Sequence, residues 1–334
     1  MQLGANLGAK RRGFAILKHM FKPGVALGLL AVAMLGGLYV YAGTYGINVV
    51  LRRGGTYWLS VRPDSPKLSV GMRLALRDGV PTATAVPFEW HAVAEGFDVA
   101  ELPVLAGGDE VDRILLARID PARFRFEVRS APAGNKGLDD WMADLGALLV
   151  INGSYYARRG TPDTPFLSAG VQLGPVDYHA THGAFVASDA GTGLHDLAQE
   201  TWQTAFAGAH DAMVSYPLLL AADGSARVAA DRRWLANRSF VGQDNAGRII
   251  LGTTKDAFFS LDRFAAFLHA APLGLTLALN LDGGGVACQA IAFADYRRRF
   301  CGKWETSTKD GDLRLLSWGY GQWALPVVLA VVPK

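Results

Sequence analysis

The sequence predicts an α+β domain, built on a mixed, largely antiparallel sheet with a few flanking helices and preceded by one N-terminal transmembrane helix. Half of the 334 residues are hydrophobic, which is enough for a sizeable core. Short apolar or alternating segments bounded by Gly, Pro, Asn and Asp recur from residue 91 onward, and such segments are typical of strands and turns. Two segments, beginning near Leu138 and Leu261, space their apolar residues as helices do.

The N-terminus has the charge pattern of a membrane anchor. Residues 1–22 form a basic tail without acidic residues, and Pro23–Leu51 contains no charged residue. An apolar run of this length can span a hydrocarbon core of about 30 Å. We therefore expect a transmembrane anchor at residues 23–51. The positive-inside rule keeps the tail cytoplasmic and sends the rest of the chain to the periplasm or the cell exterior. The alternative is a signal peptide cleaved near Val40-Tyr41-Ala42.

The charge of the remaining chain argues against one class of partner. The net charge is +3, but the five basic residues of the tail account for it, because 28 basic and 30 acidic residues follow. We therefore expect no nucleic-acid partner. Residues 52–90 are rich in Gly, Pro, Thr and Arg and show little periodicity, so we interpret them as a membrane-proximal linker. Residues 91–334 then form the folded domain.

The first half of the domain begins with strands and continues with a helix. Arg113–Ile119 and Phe124–Val128 are predicted to be two strands, joined by the turn Asp120-Pro121-Ala122-Arg123. The helical segment from Leu138 is followed by the apolar run 147–151. This run predicts a buried strand that stops at Asn152-Gly153.

The middle of the domain is richer in turns. Residues 157–210 contain many Gly and Pro residues, and we expect them to form long loops over the site. Two hairpins are expected after them, 214–220 with 226–229 and 238–241 with 248–251. Turn residues of the Asp-Gly and Asn type separate the paired segments in both cases.

A second helix and strand repeat the earlier plan. Ser260 can cap the helix, and 275–281 alternates leucines with other residues, as a half-buried strand does. Asn280 and Asp282 fall on the side opposite the leucines. Gly283–Gly285 then allow the backbone to turn its N–H groups toward a ligand, as in an anion-binding nest. The alternative is a tight turn in which Asp282 only caps the strand. Since both units end in polar turns, they are candidates for one shared cleft.

Two cysteines lie in the part of the chain that is expected to be exported. Cys288 and Cys301 would close a short loop, so a disulfide is expected in an oxidising compartment. The alternative is two unpaired thiols. The segments 313–318 and 324–332 are expected to be the closing strands of the domain.

Seven motifs follow one another along the domain: Glu95-Gly96-Phe97, Arg118-Ile119-Asp120-Pro121, Ile151-Asn152-Gly153-Ser154-Tyr155-Tyr156, Tyr216-Pro217-Leu218-Leu219, Asn237-Arg238-Ser239-Phe240-Val241-Gly242, Gly247-Arg248-Ile249-Ile250 and Ala278-Leu279-Asn280-Leu281-Asp282-Gly283-Gly284-Gly285. In this order they resemble the motifs of the phosphodiester glycosidase family. The resemblance covers most of residues 95–330. Its most specific part is Asn-Leu-Asp-Gly-Gly-Gly behind a helix and a strand.

The resemblance implies hydrolysis of a glycosyl-1-phosphate diester, with release of a sugar and a phosphomonoester. The expected substrate is an envelope or exopolysaccharide glycan. Such a reaction needs a carboxylate near the anomeric carbon and cations or N–H groups for the phosphate. The expected catalytic residues are Asp282, as the carboxylate, and Arg238, as a bidentate phosphate clamp. The expected substrate-binding residues are Asn152, Gly153, Asn280, Gly283, Gly284, Gly285 and Gln243. The alternatives are a surface ion pair for Arg238 and a left-handed turn residue for Asn152.

Two positions depart from the family pattern. The family usually has Ser after its glycines, where this chain has Val286, and a second Gly after its first Asn-Gly, where this chain has Ser154. If the missing serine hydroxyl takes part in binding or chemistry, this protein has lost it. The alternative function is therefore a catalytically inactive glycan-binding or exopolysaccharide-assembly protein of the same fold.

No cofactor is firmly expected, and no residue is assigned as a metal ligand. Histidines and aspartates recur in the loop-rich region, but no predicted helix orients them and no cysteine joins them: His179, His182, His195, Asp196, His210 and Asp211. A divalent cation with oxygen ligands at Asp282 is the more favoured metal site. Lys255 and Asp244 are second-tier site candidates, for which the alternative is a solvated loop position.

Overall fold

A computed structural model describes residues 23–52, 57–230, 233–317 and 323–334, and it confirms the predicted α+β class. The basic tail at residues 1–22 lies outside the described residues. Within the described ranges, the strand pairings are antiparallel. The α-helices are α1 (Pro23–Arg52), α2 (Val70–Ala75), α3 (Leu138–Leu145), α4 (Trp202–Ala205) and α5 (Leu261–Ala270).

The strands form four sheets. The eight-stranded sheet has the order β13 (Leu218–Leu220), β16 (Leu275–Asn280), β14 (Ser239–Asp244), β15 (Ile249–Thr254), β5 (Asp109–Ile119), β4 (Phe97–Ala106) and β2 (Thr84–Ala85), with β3 (His91–Ala94) also on β4. One five-stranded sheet has the order β18 (Tyr296–Cys301), β17 (Cys288–Phe293), β7 (Leu149–Asn152), β21 (Val327–Pro333) and β6 (Phe124–Ser130). The other has the order β11 (Gly191–Asp196), β10 (Gly183–Ser188), β12 (Ala209–Ser215), β8 (Phe166–Ser168) and β9 (Val171–Leu173). A three-stranded sheet contains β1 (Tyr57–Ser60), β20 (Asp312–Ser317) and β19 (Thr306–Lys309).

The two faces of β16 pack against different parts of the core. Leu277, Leu279 and Leu281 face the apolar cluster that fills the space between the eight-stranded and five-stranded sheets. Ala278 faces the opposite cluster, which contains Phe264 of α5. The expected alternation is therefore present from Leu277 onward, because successive side chains of a strand point to opposite faces. Leu275 departs from it and packs against the cluster of Ala278, at a register shift between β14 and β16. This packing fixes where β16 ends and where the polar turn after it begins.

Most of the predicted strands and both predicted helices are present, but one hairpin differs. The segment 214–220 is two strands rather than one, because Pro217 follows Ser215 closely and has no N–H group for a ladder. Strand β12 ends at Ser215 in a five-stranded sheet, and β13 pairs with β16 in the eight-stranded sheet. The partner segment 226–229 is not assigned as a strand.

Much of the stretch interpreted as a linker is folded. Residues 57–90 contain β1, α2 and β2, and the side chains of Leu68, Met72 and Ala75 are buried in the main core. Ser69 caps α2 by accepting a hydrogen bond from the N–H of Met72. A flexible tether would expose these side chains, so the linker interpretation is wrong for these residues. The sequence shows no clear strand or helix period here because the elements are short, four residues in β1, six in α2 and two in β2.

The apolar N-terminal helix is present as α1. Its residues Pro23–Val40 are long and apolar enough to cross a membrane, and they are not buried against the rest of the protein. A cleaved signal sequence has the same properties.

Candidate active site

The two predicted polar turns are in direct contact. Asn152 is the last residue of β7, and Asp282 lies two residues after β16. The Nδ2 of Asn152 donates to the main-chain oxygen of Asp282 at 2.7 Å, and its Oδ1 accepts from the N–H of Cys288 at 3.1 Å. The N–H of Asp282 donates to the carbonyl of Gly153 at 3.1 Å. Both polar ends of the Asn152 amide are thus used inside the protein, which makes this residue a positioning residue in this arrangement.

The carboxyl of Asp282 lies in a desolvated and negatively charged environment. Burial raises its pKa most, and the carboxyls of Glu305 and Asp163 raise it further. The N–H of Gly283, 2.8 Å from Oδ1, and the charge of Arg238 oppose this rise, and the resulting pKa is about 8. At neutral pH the group is therefore mainly a protonated hydrogen-bond donor, whereas the sequence had suggested an ionised carboxylate.

Glu305 is a second shielded carboxyl that the sequence did not reveal. Burial raises its pKa, which the charge of Arg238 and a hydrogen bond from Trp234 partly offset. The indole Nε1 of Trp234 donates to Oε1 of Glu305 at 3.0 Å. The Oε2 of Glu305 lies beside the glycine turn. A Cβ atom at position 284 would be only 2.5 Å from it, so there is no room for a side chain at Gly284. No motif marks Glu305, which is placed by an isolated bridge to Ala236 just before β19.

Arg238 is buried beside both carboxyls. Arg238 is only 4% exposed. Its Nε donates to the carbonyl of Phe259 at 3.3 Å, and its Nη2 donates to the carbonyl of Trp234 at 2.8 Å. Its charge lowers the pKa of both Asp282 and Glu305. The structure therefore brings the two expected catalytic residues together. It holds the guanidinium by main-chain carbonyls rather than presenting the whole fork to the solvent.

The glycine turn differs from the predicted open nest. Gly284 has a φ of +67°, a left-handed conformation that favours glycine, and Gly284–Val286 form a short 3₁₀ turn. However, the N–H of Gly283 is bonded to its neighbour Asp282, and the N–H of Gly284 donates to the carbonyl of Asn237 at 2.9 Å. These two donors are already used within the protein. The prediction of open donors is therefore wrong for both residues, and Gly285 lies in the 3₁₀ turn itself.

Asn280, at the end of β16, is hydrogen-bonded to two tyrosines. Its Nδ2 donates to the hydroxyl of Tyr155 at 2.8 Å and to the carbonyls of Tyr216 and Leu281. The two tyrosine rings stack with their centroids 4.2 Å apart. Burial raises the pKa of Tyr155 and, with nearby negative charge, raises that of Tyr216 to about 12, so both phenols are neutral at physiological pH.

Three buried oxygens at or next to these turns have no hydrogen-bond partner among the described residues. They are Oδ1 of Asn280, Oγ of Ser154 and Oδ1 of Asp163. Asp163 borders the site, because its charge raises the pKa of both Asp282 and Tyr216. A buried acceptor without a partner costs about 1–3 kcal/mol. Such atoms are places where a water molecule or a hydroxyl donor from a ligand gains a hydrogen bond.

Three further candidates lie away from this cluster. Gln243 is five residues beyond Arg238 along β14, about 16 Å for an extended strand, and its Oε1 accepts from the N–H of Leu194 at 3.0 Å. Asp244 closes the β14–β15 hairpin, where its carboxylate accepts from Arg248. Lys255 lines a separate cleft of about 630 Å³ that also contains Asp112 and Trp304. The structure therefore does not place Gln243 at the site, because its strand runs away from it.

The histidines of the loop-rich region do not form a cluster. His182 accepts a hydrogen bond at Nδ1 from the N–H of Leu218, whereas His195 pairs with Glu200, and His210 pairs with Asp189. Throughout the described ranges, no group of three or more His, Cys, Asp or Glu side chains is arranged to hold a metal ion. A divalent cation at Asp282 therefore stays a prediction, and no chemical step below depends on one.

The expected disulfide joins Cys288 and Cys301, which face each other across β17 and β18. It ties the strand that leaves the glycine turn to the strand that leads toward Glu305. Val286, at the position where the family usually has Ser, is 7% exposed and packs in an apolar cluster with Trp141 and Val328. Its side chain is thus part of the core.

A sequence profile of the phosphodiester glycosidase family matches residues 145–312, a range that includes Asn152, Arg238, Asp282 and Glu305. The chain belongs to the phosphodiester glycosidase family. The match covers both polar turns, the glycine turn and the disulfide.

The fold is also similar to solved structures. One is the catalytic domain of zebrafish N-acetylglucosamine-1-phosphodiester alpha-N-acetylglucosaminidase, auto-inhibited by its pro-peptide, with 14% identity and a TM-score of 0.47 over 84% of this chain and 88% of that chain. Another is a hypothetical protein from Synechocystis, with 15% identity and a TM-score of 0.44 over 75% of this chain and 64% of that chain. No curated protein sequence matches the chain.

Proposed function

We propose that this protein hydrolyses glycosyl-1-phosphate diesters and that its substrate is an envelope or exopolysaccharide glycan. The observation that carries this proposal is the convergence of Asp282, Glu305 and Arg238 around one turn, within the part of the chain that matches the family. Two neighbouring carboxyls next to a buried cation are the groups that hydrolysis of a glycosyl ester requires.

The proton states of the two carboxyls suggest their roles. The negative charge of Glu305 raises the pKa of Asp282, which is the behaviour of a pair that shares one proton. We assign that proton to Asp282. It is given to the bridging phosphate oxygen as the bond between this oxygen and the anomeric carbon breaks. Ionised Glu305 takes a proton from the water that attacks the anomeric carbon. The products are the free sugar and a phosphomonoester.

A neutral Asp282 also fits an anionic substrate. A phosphodiester brings a negative charge toward the two carboxyls, and an ionised Asp282 would repel it. In its protonated form Asp282 donates a hydrogen bond to the phosphate instead. The buried guanidinium of Arg238 offsets the charge that remains, and its fixed position means that little reorganisation is needed during the reaction.

The sugar is the proposed source of the missing hydrogen bonds. Its hydroxyl groups are donors of the kind that Oδ1 of Asn280 and Oδ1 of Asp163 lack. We therefore keep Asn280 as a substrate-binding residue and add Asp163. Asn152 and Gly153 shape the site by holding the two turns together.

The proposed location is outside the cytoplasm. Helix α1 has the length and composition of a membrane span, and the disulfide is typical of an oxidising compartment. We propose a single-pass protein with a cytoplasmic N-terminus and a periplasmic or extracellular domain, in line with the positive-inside rule. N-terminal sequencing of the mature protein separates this anchor from a cleaved signal peptide.

A non-catalytic glycan-binding or assembly protein is the second candidate. The observation that favours it is the glycine turn, where Gly283 and Gly284 already use their N–H groups within the protein. A binding protein of this fold would retain the sugar contacts without transition-state stabilisation. The position of Val286 does not support this candidate, because its side chain lies in the core.

Incubation of the full-length protein, in non-ionic detergent, with a p-nitrophenyl phosphodiester of a sugar 1-phosphate separates the two candidates. The hydrolase releases free sugar and p-nitrophenyl phosphate, both measured by chromatography, over a panel of glucose, galactose and N-acetylglucosamine esters. Binding without release of either product favours the non-catalytic candidate. Direct release of p-nitrophenol would mean that the other ester bond breaks, which contradicts the proposed glycosidase reaction.

A further inference from the structure

Trp234 is unusual among the aromatic residues of the domain. The residue is 47% exposed. Among the Phe, Trp and Tyr residues whose burial is described outside α1, it alone is more than about a third exposed. Large aromatic side chains are normally packed, because each buries a large apolar area. Trp234 is thus an exposed aromatic residue whose indole contacts the shielded carboxyl of Glu305, and it is accessible to a ligand.

The tryptophan is fixed in place on two sides. Its indole Nε1 donates to Oε1 of Glu305 at 3.0 Å, and its main-chain oxygen accepts from Nη2 of Arg238 at 2.8 Å. One residue thus contacts both a proposed proton acceptor and the buried cation. A ring anchored at its polar edge loses little conformational freedom when a ligand covers its face.

We propose that the face of Trp234 is a sugar-binding subsite, on which the apolar C–H face of the substrate pyranose stacks. The sugar ring presents C–H groups on one side and hydroxyl groups at its edge, so it can cover an indole while its hydroxyls reach polar atoms. Stacking at this position places the sugar ring beside Glu305, since the indole N–H is hydrogen-bonded to that carboxyl.

The subsite gives Trp234 two separable effects. The indole face contributes affinity for the sugar, and the N–H supports the ionised form of Glu305. Trp234→Phe keeps an aromatic face and removes the N–H donor, whereas Trp234→Ala removes both. The assignment of the ligand as a sugar ester rests on the proposed function, but the effect on binding can be measured without turnover.

The test measures the binding of N-acetylglucosamine 1-phosphate, glucose 1-phosphate and inorganic phosphate by calorimetry with the full-length protein in detergent. Trp234→Ala is expected to weaken the binding of both sugar phosphates about tenfold or more. Its affinity for inorganic phosphate is expected to change by less than about twofold. Trp234→Phe is expected to stay within about threefold of the parent protein for all three ligands. Thermal melting of both variants checks that the fold is retained.

Three results would overturn the subsite. The first is unchanged binding of sugar phosphates by Trp234→Ala. The second is an equal loss of affinity for sugar phosphates and for inorganic phosphate in Trp234→Ala. The third is a loss of sugar phosphate affinity in Trp234→Phe as large as in Trp234→Ala. If the parent protein binds sugar phosphates through Trp234 but never hydrolyses the diester, the subsite stands and the proposed hydrolase function fails. In a hydrolase, Trp234→Phe should also move the acid limb of kcat/KM to higher pH, because Glu305 loses the donor that lowers its pKa.

Discussion

The side-chain amide of Asn152 donates a hydrogen bond to the main-chain carbonyl of Asp282, 2.7 Å away, and joins two turns that are 130 residues apart in the chain. Each turn follows a strand from a different sheet, so this contact positions the carboxyl that we propose to be catalytic relative to both sheets. The same amide accepts from the N–H of Cys288, two residues after the 3₁₀ turn Gly284–Val286. The side chain of Asn152 and the main-chain bond from Asp282 to Gly153 therefore hold the geometry around Asp282 together.

Asn152→Ala should destabilise the protein and lower its turnover. The variant leaves the carbonyl of Asp282 and the N–H of Cys288 without their partners, at a cost of roughly 1–3 kcal/mol in the free energy of unfolding. Urea unfolding followed by circular dichroism measures this cost. The exposed Asn245→Ala is the matched control, with a change of less than about 0.5 kcal/mol. Equal stability of the two variants would show that the contact does not hold the turns.

The stability of Asp282→Asn should depend on pH in a defined direction. The folded protein keeps a proton on Asp282 up to about pH 8, whereas the unfolded chain releases it near the ordinary value of 3.8. Between these values the folded state binds more protons, so rising pH disfavours folding through this group. The asparagine variant removes that penalty. It should be as stable as the parent near pH 4 and more stable at pH 9, by more than about 1 kcal/mol.

Denaturant unfolding of both proteins at pH 4, 6.5 and 9 measures this difference. Because the other titrating groups are the same in parent and variant, most of their effects cancel in the comparison. A difference in stability that stays constant over this range would mean that the pKa of Asp282 is not raised by burial. A variant that is less stable at every pH would identify Asp282 as a structural cap.

Glu305→Gln should lower turnover and shift the pH dependence of what remains. Loss of a positioned proton acceptor costs about 10²–10⁴ in rate. Removing the charge of Glu305 also removes one of the causes that raise the pKa of Asp282, so the alkaline limb of kcat/KM moves to lower pH. A pH–rate profile of the variant, with the exposed Glu89→Gln as control, tests both effects. An alkaline limb at the parent position would argue against coupling between the two carboxyls.

Val286→Ser should not increase activity, although it restores the residue that the family usually has. The position is buried in an apolar cluster, so the change removes methyl groups from the core and buries a hydroxyl. We expect a loss of roughly 1–3 kcal/mol in unfolding free energy and no gain in kcat/KM. A strong gain in turnover would show that the hydroxyl acts in the reaction and would support the inactive alternative for the natural chain.

The local sequence pattern was sufficient to predict one part of the site. The turns at Asn152 and Asp282 were predicted because each follows a strand with clear apolar periodicity and a helix with clear boundaries. The fold class followed from the same periodicities. The disulfide was predicted from the short loop between Cys288 and Cys301 and the expected compartment.

Other parts depend on long-range contacts that no local pattern encodes. Glu305 lies in a short loop after Cys301, and its position beside Gly284 results from the bridge to Ala236. Gln243 was assigned to the site although its strand leads away from Arg238, because the sequence does not tell which end of β14 faces the turn. Met72 was placed in a linker, since its burial depends on contacts with the distant core.

In the proposed reaction, Asp282 carries out proton transfer during glycosyl phosphodiester hydrolysis. The most direct test compares kcat/KM of the parent, Asp282→Asn and the exposed control Asp295→Asn on the p-nitrophenyl sugar phosphodiester at pH 6.5, with free sugar as the measured product. We expect Asp282→Asn to lose at least about 100-fold, while the control keeps the parent rate and both variants melt as cooperatively as the parent. Asp282→Asn activity within threefold of the parent would contradict proton transfer by Asp282.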